Sequence, residues 1–165
     1  MRSTRVLGLS LGTMRLGIAV VERHSIFECK MKSFIRDTWS DKKLQAILEM
    51  VDKYIIGHKV KHIALKIPPP YSHTSAITQL IAGITFLAKS KNVILHLFTV
   101  QSLKQGWQIN KKDHLDKKQL KKVILEKYNL THIYKKDIKT KTSHYEKIFE
   151  AVGVADIVMR KLNNN

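Results

Sequence analysis

The sequence predicts an α/β domain built on a mixed five-stranded sheet, three antiparallel strands followed by two parallel ones, flanked by helices. Three observations carry this. Two short apolar runs and one alternating run, all strand-like, fill the chain as far as Phe34, strand-like and helical runs alternate from Ser40 to Thr99, and 44% of the 165 residues are hydrophobic. A chain of that size and apolar content can bury about two-thirds of its unfolded surface in one core, which argues against disorder and for one domain rather than two.

Taken in order, Arg5 to Ser10 and Leu16 to Glu22 are short apolar runs separated by a glycine-punctuated Leu-Gly-Thr-Met-Arg, the pattern of a β-hairpin. Ser25 to Phe34 alternates, with Ile26, Glu28, Lys30 and Lys32 on one face and Phe27, Cys29, Met31 and Ser33 on the other. The period then becomes helical: Leu44, Ile47, Leu48, Val51, Tyr54 and Ile55 form one stripe, capped by Ser40 and expected to stop near Gly57. His62 to Ile67 is a fourth strand, ended by Pro68, Pro69 and Pro70. Ser72 to Lys89 carries the helical stripe Ile77, Leu80, Ile81, Ile84, Leu87 and Ala88, and Val93 to Thr99 is a fifth strand. Strand, helix, strand, helix, strand with runs this apolar implies parallel pairing under helices. Further on, Leu115, Leu120, Val123, Ile124 and Tyr128 mark a helix, and a last helix is expected from about Thr142 through Ile148, Phe149, Val152, Ala155 and Met159. The domain is expected to span residues 1–162, with Asn163 to Asn165 as a disordered tail.

The 30 Lys+Arg against 13 Asp+Glu leave a formal charge of +17, which speaks to partners and solubility rather than fold. Between Lys104 and Lys147 alone there are 13 Lys and 5 acids. A single cysteine, Cys29, excludes an internal disulfide and a cysteine-rich zinc site and fits a reducing, cytoplasmic setting. The longest uncharged stretch, Ile67 to Ala88, holds all three prolines and reads as no membrane span. Of the eight histidines, His58 and His62 are four apart but straddle a helix–strand break, and Lys112, Asp113, His114 and Asp116 read best as a helix start; no metal site is expected.

The segment Arg5-Val-Leu-Gly-Leu-Ser-Leu-Gly-Thr-Met-Arg-Leu-Gly-Ile-Ala19, and Glu150-Ala-Val-Gly-Val-Ala155 near the end, resemble the opening hairpin and closing helix of the RuvC/YqgF group of Holliday-junction resolvases. The resemblance implies a ribonuclease H-like fold over the whole chain. In active members four carboxylates hold two divalent metals that activate water against a phosphodiester. Carried over position by position, those carboxylates fall at Ser10, Lys66, Lys147 and Glu150, of which only Glu150 is acidic. The opening also resembles the phosphate-binding hairpin of actin-like ATPases and sugar kinases, but those need two lobes, and this length supplies one.

Two ammonium groups at hard-metal positions repel the cations they would have to coordinate. The expectation is therefore a non-catalytic protein of RuvC/YqgF-like fold that binds the phosphate backbone of structured or branched DNA or RNA, largely independently of sequence. Candidate contacts are Gly12, Thr13, Arg15, Lys66, Lys104, Trp107, Lys111, Lys112 and Lys147, the aromatic ring standing among cations as in base-stacking surfaces. No cofactor is expected, with Mg²⁺ or Mn²⁺ entering only if the alternative, a metal-dependent resolvase, holds. A second alternative is an interaction scaffold without a nucleic-acid role. Self-association through the Ile77 to Leu87 helix is left open, and no membrane partner is expected.

Overall fold

The amino-terminal hairpin consists of β1 (Arg5–Leu11) and β2 (Arg15–Glu22), paired antiparallel from Arg5 opposite Glu22 to Leu11 opposite Leu16. β3 (Ser25–Ser33) adds to the outer side of β2, while β4 (His62–Lys66) and β5 (Ile94–Phe98) add in parallel beyond β1, giving the order β3-β2-β1-β4-β5. The computed structural model describes residues 3–12, 14–33, 38–108, 117–130 and 146–165. Thr13, Lys111, Lys112, the Asp113 to Asp116 cluster and the expected helix start at Thr142 lie outside the described residues.

Alternation along each strand sends odd-numbered residues of β1 to one face and even-numbered ones to the other. Leu7, Leu9 and Leu11 pack under α1 (Asp41–His58) and α2 (Ser75–Ser90), together with Ile63 and Leu65 of β4. On the opposite face lies α5 (Glu146–Asn163), covered in turn by α3 (Val100–Gly106) and α4 (Lys117–Tyr128). Every residue of α5 from Ile148 to Met159 is buried, because sheet and helices enclose it on both sides. Such a helix can approach a sheet closely only over small residues. Gly8 and Gly17 provide the space: a Cβ on either would run into a backbone carbonyl of α5, that of Ala151 or of Lys147.

Four details differ from the sequence expectation. The left-handed residue that ends α1 is Lys59, at φ 53°, whose N–H reaches the carbonyls of Ile55 and Ile56, whereas Gly57 lies inside the helix. A register shift between Val20 and Val21 breaks the alternation of β3, so Ile26 joins Cys29 and Met31 against the α5 side while Glu28 and Lys30 remain with α1. α5 runs through Asn163, and the Asn164 N–H bonds the Arg160 carbonyl, so helical structure reaches past the expected tail boundary. β5 is an edge strand with Ile94 and Leu97 each 56% exposed, less covered than its apolar run implied.

His62 and His96, on adjacent parallel strands, hold their Nδ1 and Nε2 atoms 3.1 Å apart, so one ring must donate and the other accept. Burial lowers both pKa values, and the charges of His62 and Lys161 lower that of His96 further. A folded pKa below 6.5 means that this stability is present above that pH and is lost as pH falls through the folded value. Melting temperature should therefore fall on acidification from pH 7 to 5, and less so in a His62→Gln/His96→Gln variant; equal acid sensitivity in the two proteins would contradict it.

Candidate functional site

β1, β3, β4 and β5 all point their carboxyl ends toward the same edge of the sheet, the edge at which open α/β sheets place ligands. α3 starts two residues after β5 and the first turn of α5 lies over the same edge, whereas α2 follows β4 only after residues 67–74, which hold the three prolines and a short turn. Ser10 and Lys66 are direct neighbours across the β1–β4 ladder, and Gly17 is the partner of Ser10 on β2. Over them sits the first turn of α5, which carries Lys147 and, three residues on, Glu150.

The four positions singled out in the sequence meet at one carboxylate. Lys66 Nζ lies 2.5 Å from Glu150 Oε2, Ser10 Oγ donates to the same oxygen at 3.1 Å, and Lys147 Nζ approaches Oε1 at 3.4 Å. Ser10, Lys66 and Glu150 are 0%, 4% and 3% exposed, whereas the Lys147 side chain keeps 20%. Burial pushes the Glu150 carboxyl upward, but Lys147, Lys66 and the Ser10 hydroxyl together hold it below its usual range. Burial is also the largest influence on the Lys147 ammonium and lowers it; Glu150 opposes this and Lys66 adds to it. The Lys147 chain crosses the hairpin where Gly12 leaves room, since a Cβ there would stand 2.8 Å from Lys147 Cε.

These residues do not fit a carboxylate-held pair of divalent ions. Glu150 is matched against two ammonium groups, and among the described residues no group of three or more His, Cys, Asp or Glu is placed to hold a metal. Lys66 and Glu150 neutralise each other, so the charge left over is that of Lys147. Nearby, Arg15 leaves β2 on the face that carries Gly17 and Ser10, and its shielded Nε has no hydrogen-bond partner.

Several candidate contacts have other employment. Lys66 faces Glu150 in the interior, the Ser10 hydroxyl is given to that carboxylate, and the Gly12 N–H closes the hairpin on the Arg15 carbonyl at 2.9 Å. Lys104 is 5% exposed, which removes it from direct contact with a phosphate. Trp107 donates its indole N–H to the Gly153 carbonyl at 3.1 Å, with Lys127 and Arg160 against its ring, so it anchors α3 to α5. Beside it Asp156, 1% exposed, accepts from Tyr128 and pairs with Lys127 at 2.6 Å and Arg160 at 2.7 Å, fastening α4 to the core. Sequence reasoning passed over Tyr71, which is 89% exposed on the turn beyond the three prolines, five residues after Lys66. An aromatic residue following a run that fixes the backbone was the available signal.

No protein-family model matches the sequence, and no curated protein matches it. Among solved structures, RuvC of Thermus thermophilus superposes with a TM-score of 0.72 at 12% identity, covering 98% of this chain and 97% of that one. The T. thermophilus RuvC structure in complex with Holliday junction substrate gives 0.72 at 13% identity, covering 97% and 96%. A ROK hexokinase from the same organism matches over 64% of this chain and 37% of its own, with a TM-score of 0.45. Full-length superposition at this level shows the architecture: the chain has the ribonuclease H-like fold in the arrangement of the RuvC resolvase.

Proposed function

We propose that this chain binds the phosphate backbone of structured or branched nucleic acid, largely without sequence preference, and does not cut it. The observation that carries the reading is the inverted charge of the site: a single buried carboxylate neutralised by Lys66, with Lys147 in excess. Lys147 and Arg15 are then the cations that this edge offers to phosphate. Glu150 fixes the Lys147 ammonium in place rather than coordinating a metal. The exposed ring of Tyr71 stands ready to stack on an unpaired base at the same edge. The overall charge of +17 adds a sequence-independent attraction.

Electrophoretic titration with a four-way junction, duplex and single strands of DNA and RNA, at two salt concentrations, tests this. The junction should bind tightest. Lys147→Gln/Arg15→Gln should weaken binding about tenfold and lower the log–log salt slope by about one per lost cation. Binding that is micromolar or weaker and no tighter for any form would overturn the proposal. Cleavage in Mg²⁺ or Mn²⁺ that Glu150→Ala abolishes would replace it with a metal-dependent nuclease.

A further inference from the structure

A groove between β3 and α1 begins where the site edge ends. Ser33, its first strand residue, is the ladder partner of Arg15. Lys42, Ala46, Met50, Lys53 and Gly57 follow one another along α1 at helical spacing and line the groove from the helix side. From the strand side come Lys30 and Lys32, two residues apart and so on one face of β3. The half nearer the site has a volume of about 690 Å³, and among the described residues no carboxylate lines it; Met50 also lines the second half, of about 320 Å³.

Chemically these are two cationic rails over a floor of small and apolar residues. Glu28, the one carboxylate that the described residues bring to the far half, is already engaged: Tyr54 donates to it at 2.7 Å, His58 lies at 3.3 Å and Lys30 at 3.9 Å. The remaining acids of α1, Asp41, Glu49 and Asp52, do not line the groove, and Asp52 pairs with Lys91 at 3.3 Å. From Lys42 to Gly57 the helix advances about 22 Å at its usual rise. That length accommodates several successive phosphates of one strand.

We infer that this groove is the track for a single nucleic-acid strand leaving the site, its phosphates between Lys30 and Lys32 on one side and Lys42 and Lys53 on the other. The inference rests on the nucleic-acid reading above and extends it by naming the strand's path. The lysine-rich segment after residue 104 is not needed for it.

The test compares two charge reversals of equal size on the intact protein: Lys32→Glu/Lys42→Glu in the groove, and Lys59→Glu/Lys89→Glu away from it. All four side chains are exposed, so both variants should fold, as circular dichroism will show. The probes are a fluorescent twelve-residue oligothymidine and the four-way junction. The groove variant should lose at least tenfold in affinity for both and about two in salt slope, with the distal variant losing less than threefold. Equal losses in the two variants, or an unchanged groove variant, would overturn the track and leave Lys32 as the charged guard of an edge strand. In that case Lys147→Gln/Arg15→Gln would still report on the site itself. Absence of binding by the unmutated protein would overturn both readings.

Discussion

Glu150→Gln should cost about 3–5 kcal/mol of folding stability, measured by urea unfolding, the largest effect of any conservative substitution in the site. The amide keeps the shape but removes the charge that Lys66 meets at 2.5 Å in an environment where both side chains are almost fully shielded. Lys66 is left as an uncompensated buried ammonium, and Ser10 and Lys147 lose a charged acceptor. A Lys66→Met/Glu150→Gln double variant should recover much of the loss, because burying an apolar chain is less costly than burying an isolated charge. If the double variant is no more stable than the single one, the pair is not the source of the effect.

The same site fixes the sign of a pH dependence. The folded Glu150 carboxyl sits below its ordinary 4.5, so the unfolded chain binds more protons as that range is crossed. Its contribution is therefore present above pH 4.5 and lost as pH falls through the folded value; Glu150→Gln should lack this acid limb.

Most of the architecture was legible because local and global signals agree. The Ser40 cap, the α1 stripe and the proline stop after β4 each have a cause within a few residues, and each is where the sequence put it. The convergence of Ser10, Lys66, Lys147 and Glu150 was visible only through resemblance, since nothing local reveals that Ser10 and Lys66 become ladder neighbours. What failed to show in the sequence depends on long-range packing. Gly8, Gly12 and Gly17 read as turn punctuation, yet Gly8 and Gly17 are there to let α5 approach the sheet and Gly12 to let the Lys147 chain pass. Trp107 and Lys104 read as a cationic, aromatic surface but face inward, because α3 packs against α5. The groove beside β3 escaped notice because its two rails come from elements that only the fold brings together.

Replacing Ser10, Lys66 and Lys147 together by Asp should turn the site into a divalent-cation site, and this is the most direct test of what those lysines do. Ser10 and Lys66 stand opposite each other on β1 and β4, and Lys147 and Glu150 share one side of the first turn of α5. Carboxylates there would supply oxygens from three elements to one point, the donor chemistry that Mg²⁺ and Mn²⁺ require. By formal charge the site goes from +1, with Lys66, Lys147 and Glu150 ionised, to −4. Without a cation that cluster should be strained by self-repulsion, so the triple variant should melt well below the unmutated protein in a chelator. Manganese should then restore stability in proportion to its concentration, by about 2.7 kcal/mol when it reaches one hundred times its dissociation constant. The unmutated protein, with ammonium groups at the same positions, should show no such gain, and Glu150→Gln on the triple background should weaken it. A triple variant whose melting temperature ignores manganese up to 10 mM, a level about tenfold above a millimolar dissociation constant, would mean that the four positions do not converge as a coordination site. The charge inversion could then no longer support the proposal that this chain binds a phosphodiester without cutting it.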